Sequence, residues 1–120
     1  MKRIIYLLLT LLLAYNLSTA QTEVRFHNEK SDTTRLTTLL DRAAKMKFKS
    51  PEERVAFFGR QFIGTPYGAH TLEGEQEILT VNLDSLDCTT FVETAMALAY
   101  TIVEQRTSWR DFIYNLRRLR

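Results

Sequence analysis

The sequence predicts an α+β fold that is mostly helical, and three observations support that prediction. After residue 33, apolar residues recur at helical spacing in four separate segments. One short segment, 78–83, is rich in β-branched and aliphatic residues and is typical of a strand. The helical segment that begins at Cys88 is apolar on nearly every face, so we expect it to be the buried central helix.

Length and composition limit the functional classes. The 120 residues fit one domain, and 45% apolar with 25% charged residues is typical of a globular protein. The net charge of +2 gives no case for a nucleic-acid partner, which requires a clustered basic surface. With one cysteine and two histidines, the chain cannot form a disulfide framework, and we expect neither a metal site nor an organic cofactor.

Residues 1–20 have the layout of a signal peptide. Lys2 and Arg3 precede an apolar run over 4–14, and small residues lead to a cleavage position after Ala20. A membrane anchor is the alternative, but the run is shorter than the roughly 18 to 20 residues that span a bilayer. We therefore expect an exported protein, periplasmic or extracellular, with no stable membrane insertion after cleavage.

The elements after the leader follow from capping and periodicity. Residues 21–32 are expected to be a flexible lead-in to a domain over 33–120. The first helical segment has Ser31 or Asp32 as its cap, and its apolar face contains Leu36, Leu39, Leu40, Ala43 and Met46.

The next helix has stronger end signals. Ser50 is its predicted cap, Pro51 its first residue, and Glu53 completes a capping box. Gly64 is expected to end it, before a turn over 64–68.

After the strand, we expect one helix over 88–104 and a last helix capped by Ser108. That last helix presents Trp109, Phe112, Ile113 and Leu116 on one face, while Arg117, Arg118 and Arg120 are expected to be solvated.

Two features predict that a longer parent protein continues past Arg120. The last helix has no Gly, Asn or Pro stop, and the strand has no evident partner. In the alternative interpretation, Val24-Arg25-Phe26 pairs with the strand and the terminus frays.

Cys88 is the strongest candidate for chemistry. It is placed where a loop meets a helix start, and the positive end of a helix dipole favours a thiolate. A cysteine nucleophile needs this environment and, usually, a nearby histidine. In the alternative interpretation, Cys88 is a small buried apolar residue without a chemical role.

Three further residues have alternative roles. Asp87 is an N-cap or a site residue, but its negative charge opposes a thiolate, so it cannot activate the cysteine. Tyr67 either offers its hydroxyl to the site or packs against Pro66. His70 is a base, a substrate contact or a solvated loop residue, whereas His27 is expected to be uninvolved.

These motifs resemble a known family. Gly64-Thr65-Pro66-Tyr67, Thr71-Leu72-Glu73, Val81-Asn82-Leu83 and Leu86-Asp87-Cys88-Thr89-Thr90-Phe91-Val92-Glu93 resemble the bacterial N-acetylmuramoyl-L-alanine amidase-like family, within the NlpC-type papain-like cysteine peptidases. The resemblance covers about residues 51–116.

The resemblance implies a thiol hydrolase that cleaves amide bonds of peptidoglycan peptides. Cys88 matches the nucleophile, and Tyr67, Asp87 and His70 are the candidate substrate-binding residues. The chain would then be the helix-rich N-terminal part of a papain-like fold, with the general-base histidine beyond Arg120. The alternatives are a non-catalytic exported fragment that binds cell wall and a helical interaction module.

Overall fold

The computed structural model describes residues 1–19, 23–69 and 78–120. This part of the chain forms a helix-rich α+β fold with a small sheet, which confirms the predicted fold class. The elements in chain order are α1 (Lys2–Thr19), β1 (Val24–Phe26), α2 (Glu29–Ala44), α3 (Pro51–Arg60), β2 (Leu79–Val81), α4 (Cys88–Val103) and α5 (Trp109–Leu119).

The apolar side chains at the start of α1 are exposed, and Ile4 and Leu7 are each 63% accessible. Among the helices of residues 1–19, 23–69 and 78–120, none combines the length and apolar character needed to cross a bilayer.

Helix α2 begins earlier than predicted. Its N-cap is Asn28, whose extended backbone lets the side chain accept a hydrogen bond from the backbone N–H of Ser31. The caps predicted at Ser31 or Asp32 are therefore wrong, and the segment 21–32 contains β1 and the first turn of α2. Met46 follows the end of the helix and is 45% exposed, so it does not extend the buried stripe.

Helix α3 begins where it is predicted to begin, but it ends at Arg60, before the predicted end at Gly64. Ser50 is the N-cap, Pro51 the first helical residue, and the Ser50 hydroxyl accepts from the Glu53 N–H at 3.1 Å. The Glu53 carboxylate reaches one residue further back than a standard capping box, to the N–H of Lys49 at 2.8 Å. The chain leaves the helix through a turn to Gly64, whose φ of +89° lies in the left-handed region.

The two strands pair in parallel, with Val24 opposite Leu79 and Phe26 opposite Val81. This confirms the alternative interpretation of the strand: Val24–Phe26 is its partner. Strand β2 is shorter than the predicted 78–83.

The core lies where α4 packs against α2, α3 and α5. Helix α4 is central, but it is not buried on every face as its composition predicts. Val92, Tyr100 and Val103 are 51%, 46% and 55% exposed, because the neighbouring helices cover only part of its circumference. Fully buried side chains of the core come from all four packed helices: Leu36 and Leu40 of α2, Phe58 of α3, Leu98 of α4 and Phe112 of α5.

Helix α5 starts at the predicted cap, Ser108, whose hydroxyl accepts from the Arg110 N–H. Arg117 and Arg118 are exposed, which agrees with the expectation of a solvated group, but the side chain of Arg120 is only 17% exposed. Arg117 donates to the carbonyl of Glu23, just before β1, at 3.2 Å. Arg120 forms an ion pair with Glu93 of α4 at 2.7 Å. The end of α5 is thus fastened to the sheet and to the central helix.

Candidate active site

The start of α4 is organised by a reciprocal cap. Asp87 is the N-cap, and its Oδ1 accepts from the backbone N–H of Thr90 at 2.8 Å and from the Thr90 hydroxyl at 2.9 Å. In return, the Thr90 hydroxyl oxygen accepts from the Asp87 N–H at 2.9 Å. The structural role predicted for Asp87 is therefore present, and it fixes the residue that precedes Cys88.

The same hydrogen bonds keep Asp87 ionised. The Thr90 N–H, followed by the Thr90 hydroxyl, lowers the pKa of the Asp87 carboxyl below its ordinary value of 3.8. Desolvation opposes this lowering, and the Thr89 N–H and the positive charge of Arg120 add smaller contributions that lower the pKa. A carboxylate consequently lies beside the cysteine at neutral pH.

Cys88 is the first residue of α4, and its side chain is exposed. This contradicts the interpretation of Cys88 as a buried apolar residue. Its sulfur lies 4.0 Å from the Thr89 hydroxyl, a contact at the limit of a sulfur hydrogen bond. The thiol is accessible at the positive end of a sixteen-residue helix, which is the placement expected of a nucleophile.

The turn after α3 lies beside the start of α4. Tyr67 forms a parallel bridge with Leu86, in which the Leu86 N–H donates to the Pro66 carbonyl and the Gly68 N–H donates to the Leu86 carbonyl. The bridge brings the Gly64-Thr65-Pro66-Tyr67 turn next to the Asp87-Cys88 pair. Tyr67 is 75% exposed, so its side chain is largely accessible beside the cysteine.

A depression of about 280 Å³ joins these groups. It places three of the four predicted site residues together, namely Tyr67, Asp87 and Cys88. Its remaining wall is formed by side chains of the turn after α3, of the loop before α4 and of α4 itself: Phe62, Thr65, Leu86 and Phe91. The cysteine thus opens onto a small, largely apolar cavity with a polar rim.

His70, the fourth predicted site residue, lies outside the described residues, as does Thr71-Leu72-Glu73. His27 is described: its Nε2 lies 3.7 Å from a carboxylate oxygen of Asp84, in the loop after β2. His27 does not line the depression, and the expectation that it takes no part in the site stays a prediction. Among the residues that line the described cavity, no side chain is a histidine.

The sequence did not indicate Phe62 and Phe91 as site residues. They come from α3's exit turn and from α4, and helical periodicity assigns such residues to the core. Phe91 is 37% exposed, and its ring lies against Gly59 of α3, where an added Cβ would be 3.3 Å from the ring. A glycine on the facing helix was the signal that could have placed this ring.

A larger groove of about 560 Å³ runs between α3 and α4, away from Cys88. Its lining is mostly aliphatic, and its polar side chains are those of Glu52, Arg54 and Tyr100. Size alone would favour this groove as a binding site, but it contains no nucleophile. The smaller depression has the thiol, the carboxylate and the phenol together, so we take it as the candidate active site.

Comparison with known proteins supports the same region. Residues 57–120 match the model of the AmiA-like family, described as N-acetylmuramoyl-L-alanine amidase-like. No curated protein and no solved structure matches the chain. The matched segment includes the turn, β2 and the Asp87-Cys88 helix start, and it confirms the resemblance to the amidase-like family. Because the match covers more than half of the 120 residues, the chain belongs to the N-acetylmuramoyl-L-alanine amidase-like family, whose name describes an amide hydrolase of peptidoglycan.

Proposed function

We propose that this protein is an exported cysteine hydrolase that cleaves amide bonds of peptidoglycan peptides. One observation carries the proposal: an exposed cysteine occupies the first position of a buried helix and opens onto a cavity, within the segment that matches the amidase-like family. Export follows from the leader at 1–20 and agrees with the cell-wall location of such a substrate.

Cys88 acts as the nucleophile. Its sulfur attacks the carbonyl carbon of the scissile amide, the C–N bond breaks, and the amine leaves with a proton. Water then cleaves the resulting thioester and releases a carboxylate. The first N–H groups of a helix have no partner inside it, and the Thr90 N–H is taken by Asp87. The Cys88 N–H is therefore the proposed donor to the developing oxyanion.

The other cavity residues hold the substrate. The exposed Tyr67 hydroxyl and the ionised Asp87 carboxylate are proposed to bind its amide and amine groups, while Phe62 and Phe91 cover an apolar part. Asp87 opposes a thiolate by its charge, so it orients substrate and does not activate the sulfur. No described lining residue is a histidine, so the proton acceptor is not among them. His70 is retained as a candidate substrate contact or base.

The proposal is tested by incubating the purified protein with muropeptides and separating the products by mass. We expect release of an amine and a carboxylate from one amide bond, and loss of more than about 1,000-fold of this rate in Cys88→Ala. Tyr67→Phe is the milder variant and is expected to raise KM more than it lowers kcat. Turnover that persists unchanged in Cys88→Ala would overturn the proposal.

The absence of histidine from the described lining favours a second candidate, a non-catalytic protein that binds cell wall through the same cavity. This candidate predicts muropeptide binding that survives Cys88→Ala, with no turnover in either form. His70→Ala separates the two further. If His70 is the base, the variant loses turnover but retains binding.

A further inference from the structure

One side of the Cys88 depression is formed by an aromatic ring that rests on another helix. Phe91 lies at the end of the first turn of α4, where its backbone N–H donates to the carbonyl of Asp87 at 2.9 Å. Its side chain lines the depression together with Cys88. The position of this ring therefore helps to fix the space that a substrate finds beside the sulfur.

The ring lies against Gly59, in the last turn of α3. A Cβ at this position would be 3.3 Å from Cζ of Phe91 and 4.0 Å from its Cε2. Carbon atoms in favourable contact are about 3.5 to 4.0 Å apart, so a side chain at position 59 has to displace the ring. Because glycine has no Cβ, it allows the ring to approach the α3 backbone this closely.

The surroundings of the ring decide where it moves when it is displaced. Helix α3 blocks movement toward Gly59, while 37% of Phe91 is exposed. Among the described cavities, Phe91 lines the depression at Cys88, and the larger groove between α3 and α4 is lined by other residues. A ring that is pushed away from Gly59 consequently moves toward the depression and makes it shallower.

We propose that Gly59 determines the specificity of the Cys88 site. By admitting the Phe91 ring against α3, it keeps the apolar side of the depression deep enough for an apolar group next to the scissile carbonyl. The inference rests on the proposed function, in which Cys88 attacks that carbonyl. Gly59 acts through Phe91 and is therefore a positioning residue. The competing role is structural, in which the glycine only lets α3 and α4 pack.

The test compares two reagents that alkylate Cys88 at pH 7: iodoacetamide and the bulkier, apolar N-benzyl-iodoacetamide. In both reactions the thiolate displaces iodide, so the S–C bond forms and the C–I bond breaks. The ratio of the two rates cancels the thiolate fraction and reports the space and the apolar surface beside the sulfur. The chain has one cysteine, so the mass of the intact protein measures Cys88 alone.

We expect Gly59→Ala to lower the ratio of the benzyl rate to the iodoacetamide rate by about threefold, less than the roughly tenfold or more that one methylene makes in a closed hydrophobic pocket. The effect is smaller here because the depression is open to solvent and the ring has to give by only a few tenths of an ångström. The variant is expected to fold, because alanine favours a helix more than glycine does.

A double-mutant cycle shows whether the effect passes through the ring. Phe91→Leu removes Cζ, so Gly59→Ala is expected to leave the ratio unchanged in that background. Ala56→Ser is the matched control, since it adds one heavy atom to the same helix where it lines the larger groove. It is expected to leave the ratio at the wild-type value. An equal decrease with and without the Phe91 ring would contradict the inference.

A glycine with only a structural role gives a different pattern. Gly59→Ala would then change both alkylation rates by the same factor, or only the melting temperature, and an unchanged ratio overturns the proposal. Should Gly59→Ala not fold, Phe91→Tyr decides, because its hydroxyl extends the ring atom nearest to Gly59 and crowds the same contact. A wild-type ratio in Phe91→Tyr then contradicts the inference. The readout needs no turnover, so failure of the hydrolase proposal would appear in the muropeptide assay and not here.

Discussion

Two aspartates lie at two helix starts in this molecule, and their surroundings give them opposite properties. Asp87 caps α4 beside the cysteine and is partly accessible, whereas Asp32 lies in the first turn of α2 and is fully buried. Hydrogen bonds from Thr90 lower the pKa of the Asp87 carboxyl. Burial raises the pKa of the Asp32 carboxyl, more than the N–H of Asn28 and the charges of Arg35 and His27 lower it.

Proximity to a helix N-terminus therefore does not by itself determine whether the pKa of a carboxyl is lowered or raised. Both groups accept a backbone N–H at a helix start: Asp87 from Thr90 at 2.8 Å, Asp32 from Asn28 at 3.1 Å. Asp87 gains a second donor in the Thr90 hydroxyl, while Oδ1 of Asp32 has no hydrogen-bond partner among the described residues. One start keeps a stable charge next to an exposed thiol, and the other carries a destabilised charge in the core.

Among the substitutions that alter these two helix starts, we expect the largest effect on stability at Thr90. Thr90→Val keeps the shape of this buried side chain but removes the hydroxyl that both donates to and accepts from Asp87. We expect a loss of about 2 kcal/mol in the free energy of unfolding, because hydrogen-bonding groups are left without a partner. Denaturant unfolding at pH 7 measures the change.

The variant also alters the response to acid. Since the folded pKa of Asp87 is depressed, its contribution to stability is present above the unfolded value near 3.8 and is lost as the pH falls through the folded value. Thr90→Val raises the folded pKa, so this acid-dependent loss becomes smaller. Thr89→Val is the control, because Thr89 is exposed and the change is expected to remain within about 0.5 kcal/mol. Equal losses in the two variants would contradict the role of the Thr90 hydroxyl.

At the other helix start, Asn28→Ala removes the cap of α2. We expect a loss of about 1 kcal/mol, because the Ser31 N–H loses its acceptor while the helix interior is unchanged. Asn28→Ser retains a capping oxygen and is expected to cost only a few tenths of that. Unfolding free energies of the two variants decide the point, and an Ala variant as stable as the Ser variant would mean that the cap contributes nothing.

The local signals in the sequence predicted the helix starts that depend on adjacent residues. Ser50 with Pro51, Asp87 before Cys88, and Ser108 each combine a capping side chain with an apolar run that follows at once. Asn28 was missed because Ser31 and Asp32 offer equivalent caps within one turn. The choice depends on β1, which extends the backbone up to the cap, and β1 is paired with residues more than fifty positions away.

In the candidate site, too, the features that depend on adjacent residues were predicted and those that depend on distant residues were not. Cys88, Asp87 and Tyr67 were predictable from the helix start and the turn, and the structure brings them to one cavity. The aromatic wall and the contact of Arg120 with Glu93 were not, because they join residues from separate helices. A three-residue strand such as Val24–Phe26 likewise has too little periodicity to be recognised before its partner is known.

The smallest expected change is in the pH dependence of the free energy of unfolding, and it concerns Asp32. Because the folded pKa of Asp32 is raised, the protonated form stabilises the fold fully below the unfolded value near 3.8, and that stability is lost as the pH rises through the folded value. Asp32→Asn removes the titration but keeps an oxygen for the Asn28 N–H, so stability of the variant should gain less than that of the wild type between pH 7 and pH 4. Asp41→Asn, an exposed aspartate on the same helix, is the control and should follow the wild type. The measurement is the free energy of unfolding of each protein at pH 7 and at pH 4. If the wild type and Asp32→Asn changed by the same amount between the two pH values, burial would not raise the pKa of the Asp32 carboxyl.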